Sequence, residues 1–276
     1  MDVMASPLRF GIRAALAGLA LALVALPFGL LLLLVRDRWD PLLDLDQGVS
    51  DGLHEVALQH DAFVTAMKAI STIGSAVVYV PLFTALTIWL FVRGLHRLAA
   101  FVAVTEAGSP IINALVKSAV DRARPVLPDP VAHAGGYSFP SGHAQSATVA
   151  AGVLLLVFLP TLHGRARTAA LIAAPTWVVL VCFSRVALGV HFVSDVVAGV
   201  ILGAAWLAAT TALFSAWRRE TGRPPVDPEQ GLEPEAAGRL GSADSCPSAR
   251  PPPARPGRSG RGCRPRACRA GGRHGP

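Results

Sequence analysis

The chain has 276 residues, of which 52% are hydrophobic and 16% are charged, and its mean hydropathy is +0.48. Soluble globular domains carry about 25% charged residues, so this composition disfavours an ordinary soluble enzyme. The net charge of +7 arises mostly near the C-terminus. Residues 1–217 hold 13 Lys and Arg against 12 Asp and Glu, whereas residues 218–276 hold 12 against 6. The basic balance therefore does not indicate a nucleic-acid partner.

Six apolar runs with few or no charged residues follow one another along the chain, at 14–35, 71–92, 98–116, 144–162, 168–184 and 196–217. Each run approaches the ~20 residues that a helix needs to cross a bilayer. Each is also apolar on all sides, unlike the one-sided pattern of a soluble helix. The predicted fold class is therefore all-α, a polytopic membrane bundle of six transmembrane helices. The first run is longer than the ~7–15 residues of a signal-peptide core, which predicts a retained helix.

The predicted segments are a cytoplasmic N-terminus at 1–13, a six-helix domain at 14–217 with an outer loop at 36–70, and a tail at 218–276. In the outer loop, Val56, Phe63, Met67 and Ile70 recur at helical spacing. This pattern predicts either an amphipathic helix in the membrane interface or a loop helix packed on the bundle. The tail is rich in Pro, Gly, Arg and Ser, which is typical of a disordered segment.

Basic residues in the short loops predict the orientation. With six crossings, four arginine clusters fall on one side, which we predict to be cytoplasmic. They are Arg9 and Arg13, Arg93 and Arg97, Arg165 and Arg167, and Arg218, Arg219 and Arg223. The chain is thus predicted to be a multi-pass cell-membrane protein with both termini in the cytoplasm. Arg36 and Arg38 on the opposite side mildly oppose this orientation. The other polar residues of the outer side form three clusters.

The first cluster contains Lys117 and Arg124, with Pro125 after them. The two cations are seven residues apart, which on a helix places them on one face two turns apart, and Pro125 is expected to end that helix. Cations at membrane depth are costly without a partner or a function. The alternative is that both side chains simply extend to the membrane interface.

The second cluster is the sequence Pro140-Ser141-Gly142-His143, directly before the fourth apolar run. A Ser-Gly turn at a helix N-terminus presents backbone N–H groups and the positive end of the helix dipole to an anion. Ser141 is alternatively a plain N-cap. His143 adds a group that titrates near neutral pH.

The third cluster contains Ser184, Arg185, His191 and Asp195, between the fifth and sixth runs. His191 and Asp195 are four residues apart, so on a helix they would share a face. A carboxylate on one imidazole nitrogen would leave the other nitrogen free as a base or nucleophile. A helix-start salt bridge is the alternative. Arg185 offers a guanidinium fork that suits phosphate oxygens. Together the three clusters supply cations, histidines, a carboxylate and backbone donors, which suits a tetrahedral oxyanion.

These three clusters resemble the tripartite motif of the type 2 phosphatidic acid phosphatase superfamily. The matching residues are Lys117-x6-Arg124-Pro125, Pro140-Ser141-Gly142-His143 and Ser184-Arg185-x5-His191-x3-Asp195, in the family's order and spacing. That superfamily includes lipid phosphate phosphatases and is related to vanadium haloperoxidases and glucose-6-phosphatase. The resemblance covers about 62–217, which is the expected catalytic core.

The resemblance implies a membrane phosphatase that removes phosphate from a lipid phosphate or diphosphate without a cofactor or metal. A polyprenyl diphosphate, a phosphatidic acid and phosphatidylglycerol phosphate all fit, and the Ala-, Arg- and Gly-rich composition slightly favours the first. The implied roles are a phosphohistidine at His191, its orientation by Asp195, proton transfer by His143, and phosphate binding by Lys117, Arg124, Arg185, Ser141 and Gly142. The site is expected on the outer, extracytoplasmic face.

Two alternatives stay open at this point. One is a phosphotransferase of the same family. The other is a small anion or lipid transporter in which Glu106, in the third apolar run, and the cations form an anion path. Arg122 lies off the face of Lys117 and Arg124 and is a weaker candidate for contact with phosphate or a lipid headgroup. The outer-loop histidines His54, His60 and His133 are expected to be solvated. The sequence gives no oligomeric state.

Overall fold

The computed structural model describes residues 25–241, and every named element in that range is helical. The α-helices are α1 (Ala25–Arg36), α2 (Asp40–Gln59), α3 (Asp61–Ile73), α4 (Ala76–Val92), α5 (His96–Val120), α6 (Gly142–Phe158), α7 (Gly164–Ala187), α8 (Val193–Glu220) and α9 (Ala237–Gly241). Short 3-10 turns lie at Leu159–Thr161 and Pro234–Ala236.

Five described helical segments are long and apolar enough to cross a membrane: Asp61–Val92, His96–Val120, Gly142–Thr161, Gly164–Ala187 and Val193–Glu220. They coincide with the second to sixth predicted runs, so the prediction of an all-α membrane bundle is confirmed. The first predicted run, 14–35, lies partly outside the described residues. Its described part belongs to the shorter apolar helix α1.

The outer loop consists of two helices that meet at His60, so no single helix connects Val56 with Ile70. Helix α2 turns polar residues toward the protein, since Asp46, Ser50 and His54 are buried on one face. Its exposed side carries apolar side chains, namely Leu45, Val49, Val56 and Leu58, together with the charged residues Asp44, Asp51 and Glu55. The buried face and the hydrogen bond from the Ser194 N–H to Asp46 show α2 packed on the bundle, the second of the two predicted settings.

Helices α6 and α8 pack closely along the centre of the bundle. A methyl group added at Gly199 of α8 would lie 2.5 Å from the backbone oxygen of Ser141, and one added at Gly203 would lie 2.8 Å from the backbone oxygen of Gln145. Residues larger than glycine at these positions would push the two helices apart. The close approach fixes the start of α6, with Ser141 and His143, against the start of α8, with Asp195.

The prediction of a disordered tail from residue 218 is wrong for residues 218–241. Arg218 is only 1% exposed, and its guanidinium binds Glu235 at 2.8 Å and the backbone oxygen of Pro224 at 3.0 Å. Leu232 is fully buried, and its N–H donates to the backbone oxygen of Leu156 at 2.9 Å. Ion pairs and buried apolar side chains, namely Leu232, Ala236 and Leu240, hold this segment on the bundle. Residues 242–276 lie outside the described residues.

Candidate active site

Helix α5 ends at Val120, because Asp121 adopts a left-handed backbone conformation with φ of 51°. The expectation that Lys117 and Arg124 share a helix face is therefore wrong: Lys117 lies on the last turn of α5 and Arg124 on the non-helical segment after it. The two cations still converge. Lys117 Nζ and Arg124 Nη2 both donate to the backbone oxygen of Tyr137, at 2.9 and 3.2 Å.

The Arg124 guanidinium is fixed in place by carbonyl groups of the loop that follows it. Nε donates to the backbone oxygen of Gly136 at 3.0 Å, and Nη2 donates to that of Gly135 at 2.9 Å. Nη1 donates to the backbone oxygen of Val190 at 2.6 Å and lies 3.2 Å from His191 Nε2. These contacts hold the positive charge directly beside the histidine of the third motif.

The contact with Arg124 defines the tautomer of His191. A guanidinium can only donate hydrogen bonds, so Nε2 of His191 acts as an acceptor and the ring proton resides on Nδ1. Nδ1 lies 3.5 Å from Oδ2 of Asp195, and it makes no hydrogen bond of its own. His191 thus directs a lone pair toward the cations and its N–H toward a carboxylate, as a histidine nucleophile requires.

Asp195 lies near the start of α8 and is completely buried. Its Oδ2 accepts hydrogen bonds from the Phe192 N–H at 2.9 Å and from the Ser138 hydroxyl. Its Oδ1 accepts from Nη1 of Arg122 at 2.7 Å. These donors keep the carboxylate charged and fixed behind His191.

Burial lowers the pKa of His191 to about 4, with Arg124 and Arg185 acting in the same direction and Asp195 offsetting part of the effect. The side chain is only 2% exposed, so its charged form loses most of its hydration. Because the pKa is lowered, the ring is neutral at pH 7, and its protonation costs folding free energy as the pH falls from about 6.5 toward 4. A neutral imidazole is the form that can attack phosphorus.

The second motif begins helix α6 beside these groups. Ser141 is buried; its N–H donates to the backbone oxygen of Asp195 at 2.9 Å, and its hydroxyl caps the helix through a long 3.5 Å contact with the Ala144 N–H. A cavity of about 290 Å³ brings Gly142 and His143 together with Lys117. The helix N-terminus and His143 therefore face the same space as Lys117.

Arg185 lies on the last turn of α7, where its Nη1 donates to the Ser71 hydroxyl at 2.5 Å. Its Nε is buried and has no hydrogen-bonding partner. Arg185 is close enough to Arg124, His143 and His191 for its charge to act on all three. Glu106 does not line the cavity that holds Lys117 and His143.

Comparisons with known proteins agree with this arrangement. The model of the PAP2 superfamily matches residues 98–219, which include all three motifs. This part of the chain is therefore similar to the PAP2 superfamily. The resemblance that the motifs indicate is thereby confirmed. The crystal structure of a transmembrane PAP2 type phosphatidylglycerolphosphate phosphatase from Bacillus subtilis is similar, with a TM-score of 0.63 and 25% identity, over 70% of this chain and 94% of that one.

Two sequence relatives match this chain over part of their length. Phosphatidylglycerophosphatase B of Bacillus subtilis (strain 168) is 40% identical over 96 residues, which are 34% of this chain and 46% of the relative. Lipid phosphate phosphatase delta of Arabidopsis thaliana is 31% identical over 147 residues, which are 47% of this chain and 34% of the relative. The chain thus spans less than half the length of each of these relatives.

Sequence reasoning underrated several residues around the PAP2 motifs. Arg122 faces Asp195 instead of a ligand, and Asp46 and Ser138 are buried beside the same charges. His54 was expected to be solvated, but it is only 5% exposed and its Nε2 lies 2.6 Å from the backbone oxygen of Pro128. The periodic spacing of Asp46, Ser50 and His54 on α2 was the signal available in the sequence.

Within residues 25–241, no three His, Cys, Asp or Glu side chains are grouped as a metal site would need. The charged groups beside His191 are instead mainly cations, from Lys117, Arg124 and Arg185. A cluster of cations repels a metal ion and attracts a phosphate group.

Proposed function

We propose that this chain is an integral membrane phosphatase that hydrolyses the phosphate monoester or diphosphate of a lipid through a phosphohistidine at His191. The proposal is carried by the surroundings of that ring. Nε2 is an unprotonated acceptor beside the Arg124 guanidinium, and Nδ1 faces the buried Asp195 carboxylate at 3.5 Å. A nucleophile, its orienting carboxylate and a phosphate-binding cation thus meet at one point.

In the first step, Nε2 of His191 attacks phosphorus while the bond from phosphorus to the lipid oxygen breaks. His143 gives its proton to that departing oxygen. Asp195 stabilises the positive charge that develops on the His191 ring. The products of this step are the dephosphorylated lipid, or a lipid monophosphate when the substrate is a diphosphate, and a phosphohistidine.

In the second step, neutral His143 takes a proton from water as the water oxygen attacks phosphorus. The bond from phosphorus to Nε2 of His191 breaks, inorganic phosphate leaves, and both histidines return to their starting forms. Three cations hold the phosphate oxygens in both steps, namely Lys117, Arg124 and Arg185, with Ser141 and the Gly142 N–H assisting. These cations serve where other phosphatases use a metal ion.

The location of the site supports a lipid substrate. The motifs are at the ends of helices that are long enough to cross a bilayer, so a headgroup could enter while the apolar tails remain in the membrane. Two sequence relatives, a phosphatidylglycerophosphatase and a lipid phosphate phosphatase, support the same substrate class. Phosphatidylglycerol phosphate, phosphatidic acid and polyprenyl diphosphate are the substrates to compare.

The test is phosphate release by the purified chain from these three lipids in detergent. We expect release of inorganic phosphate that persists in a metal chelator and is inhibited by vanadate, which mimics the transferred phosphoryl group. Product analysis should find phosphate and no new phosphorylated acceptor. Absence of release from all three lipids would contradict the phosphatase proposal, and a phosphorylated acceptor would identify a transferase.

We also propose that the site faces the extracytoplasmic side, as the arginine-rich loops at the other helix ends favour. Val126 is 90% exposed in the loop over the site, and Glu220 is exposed at the opposite end of α8. In intact cells that carry a cysteine-free variant, we expect a cysteine at position 126 to react with an impermeant maleimide. A cysteine at position 220 should react only after lysis. The reverse labelling pattern would place the site in the cytoplasm.

A further inference from the structure

We propose that Asp46 and Arg122 are positioning residues for the nucleophile, and that this buried ion pair holds and charge-balances the Asp195 carboxylate behind His191. The inference rests on the proposed phosphatase function. Asp46 lies on α2, outside the residues 98–219 that match the PAP2 family, whereas Arg122 and Asp195 lie within them. The pair would therefore make the outer-loop helix a part of the catalytic apparatus.

Arg122 forms a bridge between two carboxylates. Its Nη1 donates to Asp195 Oδ1 at 2.7 Å and to the Ser194 hydroxyl at 2.6 Å, and its Nη2 donates to Asp46 Oδ2 at 2.8 Å. The guanidinium also lies over the Phe192 ring, 4.4 Å from its centroid. One face and the forked end of this side chain are thus occupied by protein groups.

Asp46 is fully buried although it comes from a loop helix. Its Oδ1 accepts from the Ser194 N–H at 3.0 Å, and its Oδ2 accepts from the Ser194 hydroxyl as well as from Arg122. A buried carboxylate is tolerated only when it is paired and hydrogen-bonded, and Asp46 meets both conditions through residues that adjoin Asp195. These contacts fasten α2 to the first turn of α8.

The charge balance of this cluster bears on His191. Arg122 alone would draw the charge of Asp195 away from the imidazole, because the guanidinium and the ring compete for the same carboxylate. Asp46 supplies a second negative charge, so the positive charge of Arg122 is shared between two carboxylates. Asp195 therefore still attracts the Nδ1–H group of His191. Without Arg122, two buried carboxylates would face each other and repel. The arrangement thus needs both members of the pair.

The experiment compares Asp46→Asn with Asp44→Asn, which removes the same charge from an exposed position on the same helix. For Asp46→Asn we expect a 10- to 100-fold fall in kcat with KM within about threefold of wild type, since small displacements of reacting groups have effects of this order. Asp44→Asn should match wild type. Arg122→Lys should retain more activity than Arg122→Gln, because lysine keeps the positive charge between the two carboxylates. It should remain below wild type, because an ammonium group cannot replace the two-pronged guanidinium.

Two further measurements separate positioning from a purely structural role. Asp46→Asn should retain the vanadate-induced rise in Tm, since the phosphate-binding cations are untouched. The double variant Asp46→Asn/Arg122→Gln should lose less activity than the product of the two single effects, because the two side chains are in contact.

Equal kcat values for Asp46→Asn and Asp44→Asn would overturn the inference. The inference would also be overturned if Asp46→Asn lost both its activity and the vanadate-induced rise in Tm. The ion pair would then stabilise the fold and would not specifically position His191. A wild-type chain that releases no phosphate would instead refute the proposed function, and the vanadate measurement distinguishes that outcome from an unfolded preparation.

Discussion

Replacing His191 with alanine is expected to lower kcat for lipid phosphate hydrolysis by about 10⁴-fold or more, the order found when a catalytic nucleophile is removed. The substitution deletes Nε2, the only nitrogen of the ring that Arg124 places beside the phosphate-binding groups. The measurement is steady-state release of inorganic phosphate, together with rapid quenching of ³²P-labelled substrate. Wild type should yield an acid-labile, base-stable label on the protein, and His191→Ala should yield none.

His60→Ala serves as the control for this variant. His60 is exposed in the outer loop between α2 and α3, and its Nδ1 contacts only the backbone oxygen of Val56 at 3.0 Å. We expect wild-type activity and labelling from it. Phosphate release by His191→Ala at the rate of His60→Ala would eliminate the phosphohistidine mechanism, and a retained protein label would assign the nucleophile to another residue.

The general form of this site could be predicted from the sequence because two of its features do not depend on contacts between distant segments. These are the spacing of the motifs and the length of the apolar runs. A run of about 20 apolar residues specifies a membrane helix whatever packs against it. His191 and Asp195 were expected to meet through helical spacing. They do meet, although His191 precedes α8 and only Asp195 lies on it, because the Asp195 side chain accepts the Phe192 N–H at the helix start.

The details that failed depend on contacts between distant segments. Lys117 and Arg124 were expected on one helix face, but Asp121 ends α5 in the left-handed conformation and Arg124 reaches the site from a loop. A non-glycine residue in that conformation leaves no periodic signal. Arg122 was ranked low as a phosphate contact because it lies off that predicted face, and its contact with Asp46 was not foreseen because Asp46 lies 76 positions away along the chain.

The polar outer-loop helix and the segment after α8 show a second limit. Charged and polar residues ordinarily indicate exposure, yet Asp46 and Arg218 are buried because each has an oppositely charged partner. The composition of a segment shows that it is polar but does not show which of its charged residues are paired. A folded ion-paired segment and a disordered one therefore look alike until the partners are known.

Replacing His143 with asparagine is expected to affect monoester and diphosphate substrates differently. When a monoester is cleaved, the departing group is an alkoxide, whose conjugate acid is about as weak as water. When a diphosphate is cleaved, the departing group is a phosphate that titrates near pH 6 and leaves without a proton. Loss of the acid should therefore slow phosphohistidine formation by about 10²–10⁴-fold for the monoester and far less for the diphosphate.

The second step should be slow with either substrate, because His143 also activates the water. With a diphosphate, the variant should thus show a burst of one lipid monophosphate per enzyme followed by slow turnover, and the phosphohistidine should accumulate. Rapid-quench assays of both products measure this directly, with His133→Asn, an exposed histidine of the loop near the site, as control. An equal slowing of the first step with both substrates would remove His143 as the acid, because an effect independent of the leaving group cannot arise from protonating it.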